Sequence, residues 1–154
     1  MTNHKQTRVL IVEDQAEARK LIHIAFRSPT FLVEEASTGY EALAMANESH
    51  PEVVLLDICL PGSLNGFEVC KELKTTCGMG EIFVILISGL SEPDDFEEAR
   101  LAGANAYFVK PFRFAGIEKL IEQRRLRKEN FTLVQAMADL EVRHLHSSKV
   151  QVPA

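Results

Sequence analysis

The chain has 154 residues, 46% of them hydrophobic, and a formal net charge of -5. That length predicts one domain with room for a short appendage, and that composition fills a core and excludes a disordered chain. The acidic balance excludes a nucleic-acid partner held by overall charge, and no apolar run approaches the length needed to span a bilayer.

Residues 1–7 are polar and carry no apolar stretch typical of a secretion signal, so they read as a disordered N-terminal segment. No membrane partner is expected, and the expected location is cytoplasmic. Cys59, Cys70 and Cys77 make an odd count without metal-ligand spacing, which suits a reducing compartment and argues against a disulfide framework. Val9-Leu10-Ile11-Val12 is an apolar strand that ends in Glu13-Asp14. A helix over Gln15 to Arg27 follows, with Leu21, Ile22, Ala25 and Phe26 on one face, and Ser28-Pro29 stops it. Phe31-Leu32-Val33 makes a short strand, after which Ser37 or Thr38 caps a helix that turns Ala42, Leu43 and Ala46 inward.

Val53-Val54-Leu55-Leu56 then runs straight into Asp57. A continuous apolar run of this kind is a strand buried on both faces of a parallel sheet, so Asp57 stands at its C-terminal end. Asn65-Gly66 closes a loop, Phe67 to Thr75 reads as a helix facing inward through Val69, Cys70 and Leu73, and residues 77–80 form a turn. Phe83 to Ile87 is the most apolar strand and ends in Ser88-Gly89. Pro93 opens a helix and Gly103 stops it; Ala106 to Val109 is a last short strand ending in Lys110-Pro111. Phe114 to about Lys128 is a final amphipathic helix with Ile117, Leu120 and Ile121 inward. Strand and helix alternate five times, so the expected fold class is α/β, a doubly wound five-stranded parallel sheet with helices on both faces.

Beyond this unit, Phe131, Val134, Met137, Leu140 and Leu145 recur at amphipathic helical spacing. Residues 129–146 are therefore expected to form a C-terminal helical extension that either folds back on residues 8–128 or pairs two chains as a homodimer. Residues 147–154 read as a tail.

Polar groups leave the C-terminal ends of four strands: Glu13 with Asp14, then Asp57, Ser88 and Lys110. Taken singly, Asp57 and Ser88 read as strand-end caps and Lys110 as a solvated charge. Together they read as a site, because chemistry in open α/β sheets collects beyond those ends. Three carboxylates repel one another unless a cation neutralises them, and an all-oxygen set that retains waters suits Mg²⁺. With the metal on one side and Lys110 and Ser88 on the other, Asp57 is placed to attack a phosphorus atom and become an aspartyl phosphate.

Glu13-Asp14, Asp57 followed by Pro61, Ser88-Gly89, and Tyr107 three residues before Lys110-Pro111-Phe112 resemble the receiver domains of two-component response regulators, over about Arg8 to Lys128. The resemblance implies the flavodoxin-like strand order 2-1-3-4-5. It implies that Asp57 is the phosphoacceptor, taking its phosphoryl group from a sensor histidine kinase or a histidine phosphotransfer protein. Mg²⁺ would be held by Glu13, Asp14, Asp57 and the main-chain carbonyl of Cys59. Ser88 and Lys110 would hold the phosphoryl group, Ser88 and Tyr107 would act as the switch, and Lys110-Pro111 would be a cis peptide. A downstream protein target would read the altered face, and no enzymatic activity is expected beyond the chain's own phosphorylation and dephosphorylation.

The segment from Pro61 to Gly66 is one residue longer than the common receiver loop, and Asn105-Ala106 replaces an acidic pair found in DNA-binding relatives. Cys59 and Leu90, two positions beyond Asp57 and Ser88, offer no amide or acid to orient a hydrolytic water, which predicts a long-lived phosphoryl group. Two alternatives stay open: a receiver fragment of a larger regulator or hybrid kinase, and a phosphorylation-independent adaptor with the same fold. A haloacid-dehalogenase-type phosphatase would want a second acid where Cys59 stands.

Overall fold

The apolar segments become one parallel sheet, because each is too short for a helix that buries a full face and is separated from the next by a crossover helix. The strands are β1 (Thr7–Val12), β2 (Phe31–Ala36), β3 (Val53–Asp57), β4 (Phe83–Ser88) and β5 (Ala106–Val109). They lie in the order β2-β1-β3-β4-β5, all parallel, as expected. The helices are α1 (Ala16–Ala25), α2 (Gly39–Ser49), α3 (Gly66–Thr75), α4 (Pro93–Leu101) and α5 (Phe114–Arg127). The structure, a computed structural model, describes residues 5–76 and 81–127. The turn at 77–80, the extension at 129–146, its homodimer seam and the tail at 147–154 lie outside the described residues.

Side chains on a strand alternate between faces, and the core divides accordingly. Leu10, Val12, Val54, Leu56, Val84 and Leu86 pack under Ala42 and Ala46 of α2, Val69, Cys70 and Leu73 of α3 and Ala99 of α4. Val9, Ile11, Val53, Leu55, Phe83, Ile85 and Ile87 pack instead with Phe26 and with Ile117, Leu120 and Ile121 of α5. Every residue of β3 and β4 is buried. Each large apolar side chain so buried contributes about 1.5–3 kcal/mol, which fixes the two strands that carry Asp57 and Ser88.

The structure differs from expectation at two places on this face. Thr7, expected in the N-terminal segment, is the first residue of β1; it is buried and its N–H donates to Thr30 O at 2.8 Å. No residue of α1 is buried, the buried side chain being Phe26 at its C-cap, while Leu21 is 69% exposed. Ile22 and Phe26 stand four residues apart on one line of the helix, and Leu21 and Ala25 lie about 100° round from it. The Phe26 ring fills the space beneath α1, meeting Phe31 at 5.0 Å and Phe114 at 4.5 Å edge to face.

Local chemistry sets the element ends. Thr38 Oγ1 accepts from the Glu41 N–H at 3.1 Å and starts α2, and Asn65 Oδ1 accepts from the Glu68 N–H at 3.0 Å and starts α3. Asp95 reaches back to the Glu92 N–H at 2.9 Å beneath Pro93, the first residue of α4. Gly103 adopts a φ of +86°, which only glycine takes without strain, and so ends that helix. Among the described residues no helix is long and apolar enough to cross a membrane.

Candidate functional site

Register alone brings the predicted residues to one edge. Asp57 pairs with Ile87, the residue before Ser88, and Ser88 pairs with Val109, the residue before Lys110. β1 ends with Val12 opposite Leu56, so Glu13 emerges beside Asp57. Carboxylate oxygens of Glu13, Asp14 and Asp57 lie within 4.8 Å of one another. Lys110 Nζ donates to Asp57 Oδ2 at 2.9 Å and stands 3.6 Å from Glu13 Oε2. The Cys59 N–H donates to the other Asp57 oxygen at 2.9 Å. Lys110-Pro111 is a cis peptide, and the Lys110 N–H donates to Ser88 O at 2.8 Å.

Glu13 and Asp57 are buried and Asp14 is exposed, a difference that decides their electrostatics. Burial lifts the Glu13 carboxyl to about 7, with its hydrogen bond to Asp57 and the charge of Asp57 adding to the rise. Burial also acts to raise Asp57, but hydrogen bonds from Glu13, Lys110 and the Cys59 N–H outweigh it and hold Asp57 below the usual carboxylate range. Lys110 resists its own burial because Asp57 and Glu13 favour the ammonium form. The cluster is thus a carboxylate at Asp57, a cation at Lys110, and a Glu13 that readily takes a proton when no other cation is near.

A buried oxygen is left over. Glu13 Oε1 is buried without a hydrogen-bond partner, which costs about 1–3 kcal/mol. Filling that deficit needs a cation or donor on the open side of the site. Three carboxylates and no nitrogen or sulfur match a hard divalent cation that keeps its own waters, so the donor set fits Mg²⁺.

Ser88 and Tyr107 meet at a third residue, Leu90. Buried Ser88 accepts the Leu90 N–H on Oγ at 3.0 Å, which leaves its hydroxyl proton to give. The Tyr107 hydroxyl donates to Leu90 O at 2.8 Å, and its ring lies inward, 3% exposed and 4.8 Å from that of Phe96. Burial pushes the Tyr107 phenol up to about 12, so it stays a donor.

The loop after β3 is tied to α2. Tyr40 OH and Ser63 Oγ are 2.8 Å apart, and Gly62 turns the chain with a φ of +87°. At its end the Gly66 N–H donates to Ile58 O at 2.8 Å, and a Cβ on Gly66 would come within 2.5 Å of Asp57 O. Asn105, standing where the acidic pair is absent, is buried and its Oδ1 accepts the Val84 N–H at 2.9 Å. That bond closes the start of β4.

Several residues of the site escape sequence reasoning. Gly66 reads as a loop closure because an Asn-Gly pair signals a turn and says nothing of the backbone beneath Asp57. Arg19 falls inside the first helix with no pattern to single it out, yet its Nη1 donates to Glu13 O at 2.8 Å and its Nε to Glu35 Oε1 at 3.1 Å. No pattern in the chain pairs Arg19 with a strand-end glutamate sixteen residues on.

Known proteins share this architecture. The response regulator receiver domain model matches residues 9–122. The transcriptional regulatory protein ResD of Bacillus subtilis is 30% identical over 112 residues, 73% of this chain and 45% of that protein. A probable transcriptional regulator, ycf27, of Guillardia theta is 34% identical over 127 residues, 81% of this chain and 48% of its own length. The chain thus spans about half the length of these curated relatives. The chemotaxis protein CheY4 of Vibrio cholerae superposes with a TM-score of 0.71 at 25% identity, over 77% of this chain and 98% of CheY4. The family match extends from β1 into α5 and embraces Glu13, Asp57, Ser88 and Lys110; the chain belongs to the response regulator receiver domain family of two-component signalling.

Proposed function

We propose that Asp57 accepts a phosphoryl group from a phosphohistidine of a sensor histidine kinase or histidine phosphotransfer protein. One Asp57 oxygen attacks the phosphorus; an O–P bond forms as the P–N bond breaks, and the departing imidazole nitrogen keeps the electron pair and takes up a proton. Lys110 leaves its 2.9 Å contact with Asp57 to hold a phosphoryl oxygen, and the Ser88 hydroxyl donates to another. Glu13, Asp14 and Asp57, with the main-chain carbonyl of Cys59, are the residues that would hold Mg²⁺. Bound there, the metal supplies charge to the phosphoryl oxygens.

The observation that carries this reading is a buried aspartate held between Lys110 and a Glu13 with one oxygen unsatisfied. Ser88 and Tyr107, both tied to Leu90, are the switch: engagement of Ser88 by phosphate alters its bond to the Leu90 N–H and biases the loop held by Tyr107. A downstream protein reads that loop. The unit acting in this way runs from the start of β1 to the end of α5, works in the cytoplasm, and catalyses only its own phosphorylation and dephosphorylation.

The test is incubation with Mg²⁺ and acetyl phosphate, followed by intact mass measurement. Wild type is expected to gain one phosphoryl group and Asp57→Asn none. A folded wild type that gains none would hand the reading to a phosphorylation-independent adaptor. A second reading is favoured by the match covering only 45% and 48% of the two curated relatives: residues 129–154 lead into an output segment. The amphipathic spacing of the same residues leaves pairing of two copies as a homodimer as the other use of that segment. Light scattering of phosphorylated and unphosphorylated protein tests the pairing.

A further inference from the structure

Arg19 binds the turn that carries two of the acids, and no step of the phosphotransfer uses it. α1 starts just after Asp14, and Arg19 reaches back over its first turn to the Glu13 carbonyl at 2.8 Å. The same guanidinium gives its Nε–H to Glu35 at 3.1 Å, and the second Glu35 oxygen is 2.9 Å from His23 Nδ1. Glu35 belongs to the edge strand β2, opposite Ile11. The N–H of Glu13 donates to Ala36 O on that strand at 3.1 Å. Both backbone groups of Glu13 are therefore tied to β2, the N–H directly and the carbonyl through Arg19 and Glu35.

We propose that Arg19 is a positioning residue for the metal-binding acids, locking the peptide unit between Glu13 and Asp14 with Glu35 as its anchor. The inference rests on the Mg²⁺ reading given above. The Glu13 carbonyl belongs to the peptide that joins the two acids, so holding it fixes ψ of Glu13 and φ of Asp14, the torsions that set how the two acids are oriented relative to each other. A guanidinium suits the task because its planar fork serves two acceptors together, whereas a lysine ammonium has no such fixed geometry. Glu35 also has an electrostatic role. An unpaired cation next to the acids would compete with a divalent ion, and the carboxylate partner absorbs that charge. Arg19 is 22% exposed and Glu35 36% exposed in their side chains, so the pair is sheltered enough for geometry to matter while its deletion leaves the core intact.

The test uses the full chain and three variants, Arg19→Met, Arg19→Lys and Glu35→Gln. Isothermal titration with MgCl₂ reads metal affinity, thermal melting reads folding, and ¹⁵N relaxation of the Asp14 amide in metal-free protein reads the peptide itself. Arg19→Met is expected to weaken Mg²⁺ binding by about 10-fold or more, the range typical when a partner that orients a metal ligand is removed. Arg19→Lys should fall between it and wild type, and so should Glu35→Gln, because an amide oxygen still accepts from Arg19 but no longer neutralises its charge. The Asp14 amide should show exchange broadening in Arg19→Met and none in wild type. A folded Arg19→Met with wild-type affinity overturns the proposal, as does a rigid Asp14 amide in that variant. If wild type itself binds no Mg²⁺, the metal reading fails, and Arg19 is judged on the amide relaxation alone.

Discussion

The two ends of the sheet each bury ionisable groups, and among the described residues the C-terminal end alone crowds carboxylates together. At the C-terminal edge Asp57, Glu13 and Lys110 bring opposed charges into contact and leave Glu13 Oε1 unsatisfied. At the N-terminal edge Lys74 of α3 donates to Ile82 O at 2.5 Å, just before β4, and its stem lies where a Cβ on Gly103 would meet it at 3.3 Å, with the Cys70 thiol held at Ala102 O. Burial moves pKa values at both ends, holding Lys74 down to about 8 and pushing Cys70 up to about 12. A shifted pKa therefore does not mark function. What marks it is an arrangement incomplete in itself: like charges crowded together with an open oxygen, against a lysine satisfied by a carbonyl.

The sharpest way to break that contrast is at Asp57. Asp57→Asn should lose phosphoryl uptake entirely, as should wild type in excess EDTA, whereas Lys74→Met should be phosphorylated at the wild-type rate; intact mass reads all three. Once formed, the aspartyl phosphate should persist, since exposed Cys59 and Leu90 orient no water. A half-life of seconds without an added phosphatase would overturn that expectation. Gly66→Ala should destabilise the fold by about 1–3 kcal/mol in urea unfolding, because a Cβ meets backbone at 2.5 Å and no flexible side chain can yield. The same variant should slow phosphorylation, since the clash lies at the Asp57 carbonyl.

A smaller effect separates the other end. Lys74 titrates at about 8 folded against 10.5 ordinarily, so above pH 8 the unfolded chain binds a proton that the folded chain has lost, and stability rises with pH. Cys70 reverses this above 9.0, its ordinary value, because the folded thiol keeps its proton towards about 12 while the unfolded one ionises. Urea midpoints should therefore climb from pH 8 to 9 and then level; Lys74→Met should abolish the climb. Smallest is Tyr40→Phe, which removes an exposed hydrogen bond to Ser63 and should cost about 0.5 kcal/mol without changing phosphoryl uptake.

Much of this was legible in the chain before any coordinates. The strands announce themselves as apolar runs too short for helices, and Thr38, Pro93 and Gly103 punctuate the helices through local chemistry that needs no tertiary partner. The candidate site was legible because Asp57 and Ser88 close buried strands and Lys110 directly follows one, so a parallel sheet must collect them. Leu21 shows the limit. Apolar spacing admits Leu21 and Ala25 as readily as Ile22 and Phe26, and only the space taken by the Phe26 ring against Phe31 and Phe114 decides which line faces inward.

The sequence by itself determined the α/β alternation, the polar residues at the strand ends and the chemistry that those residue types allow, because periodicity and side-chain identity are local properties. The tertiary structure alone decided that Glu13 carries the unsatisfied oxygen, that Ser88 and Tyr107 converge on Leu90, that Gly66 lies against the Asp57 carbonyl, and that Arg19 ties the acidic turn to β2. Each of these joins residues distant in the chain through a few ångströms of space, and such contacts exist only once the sheet has set its register.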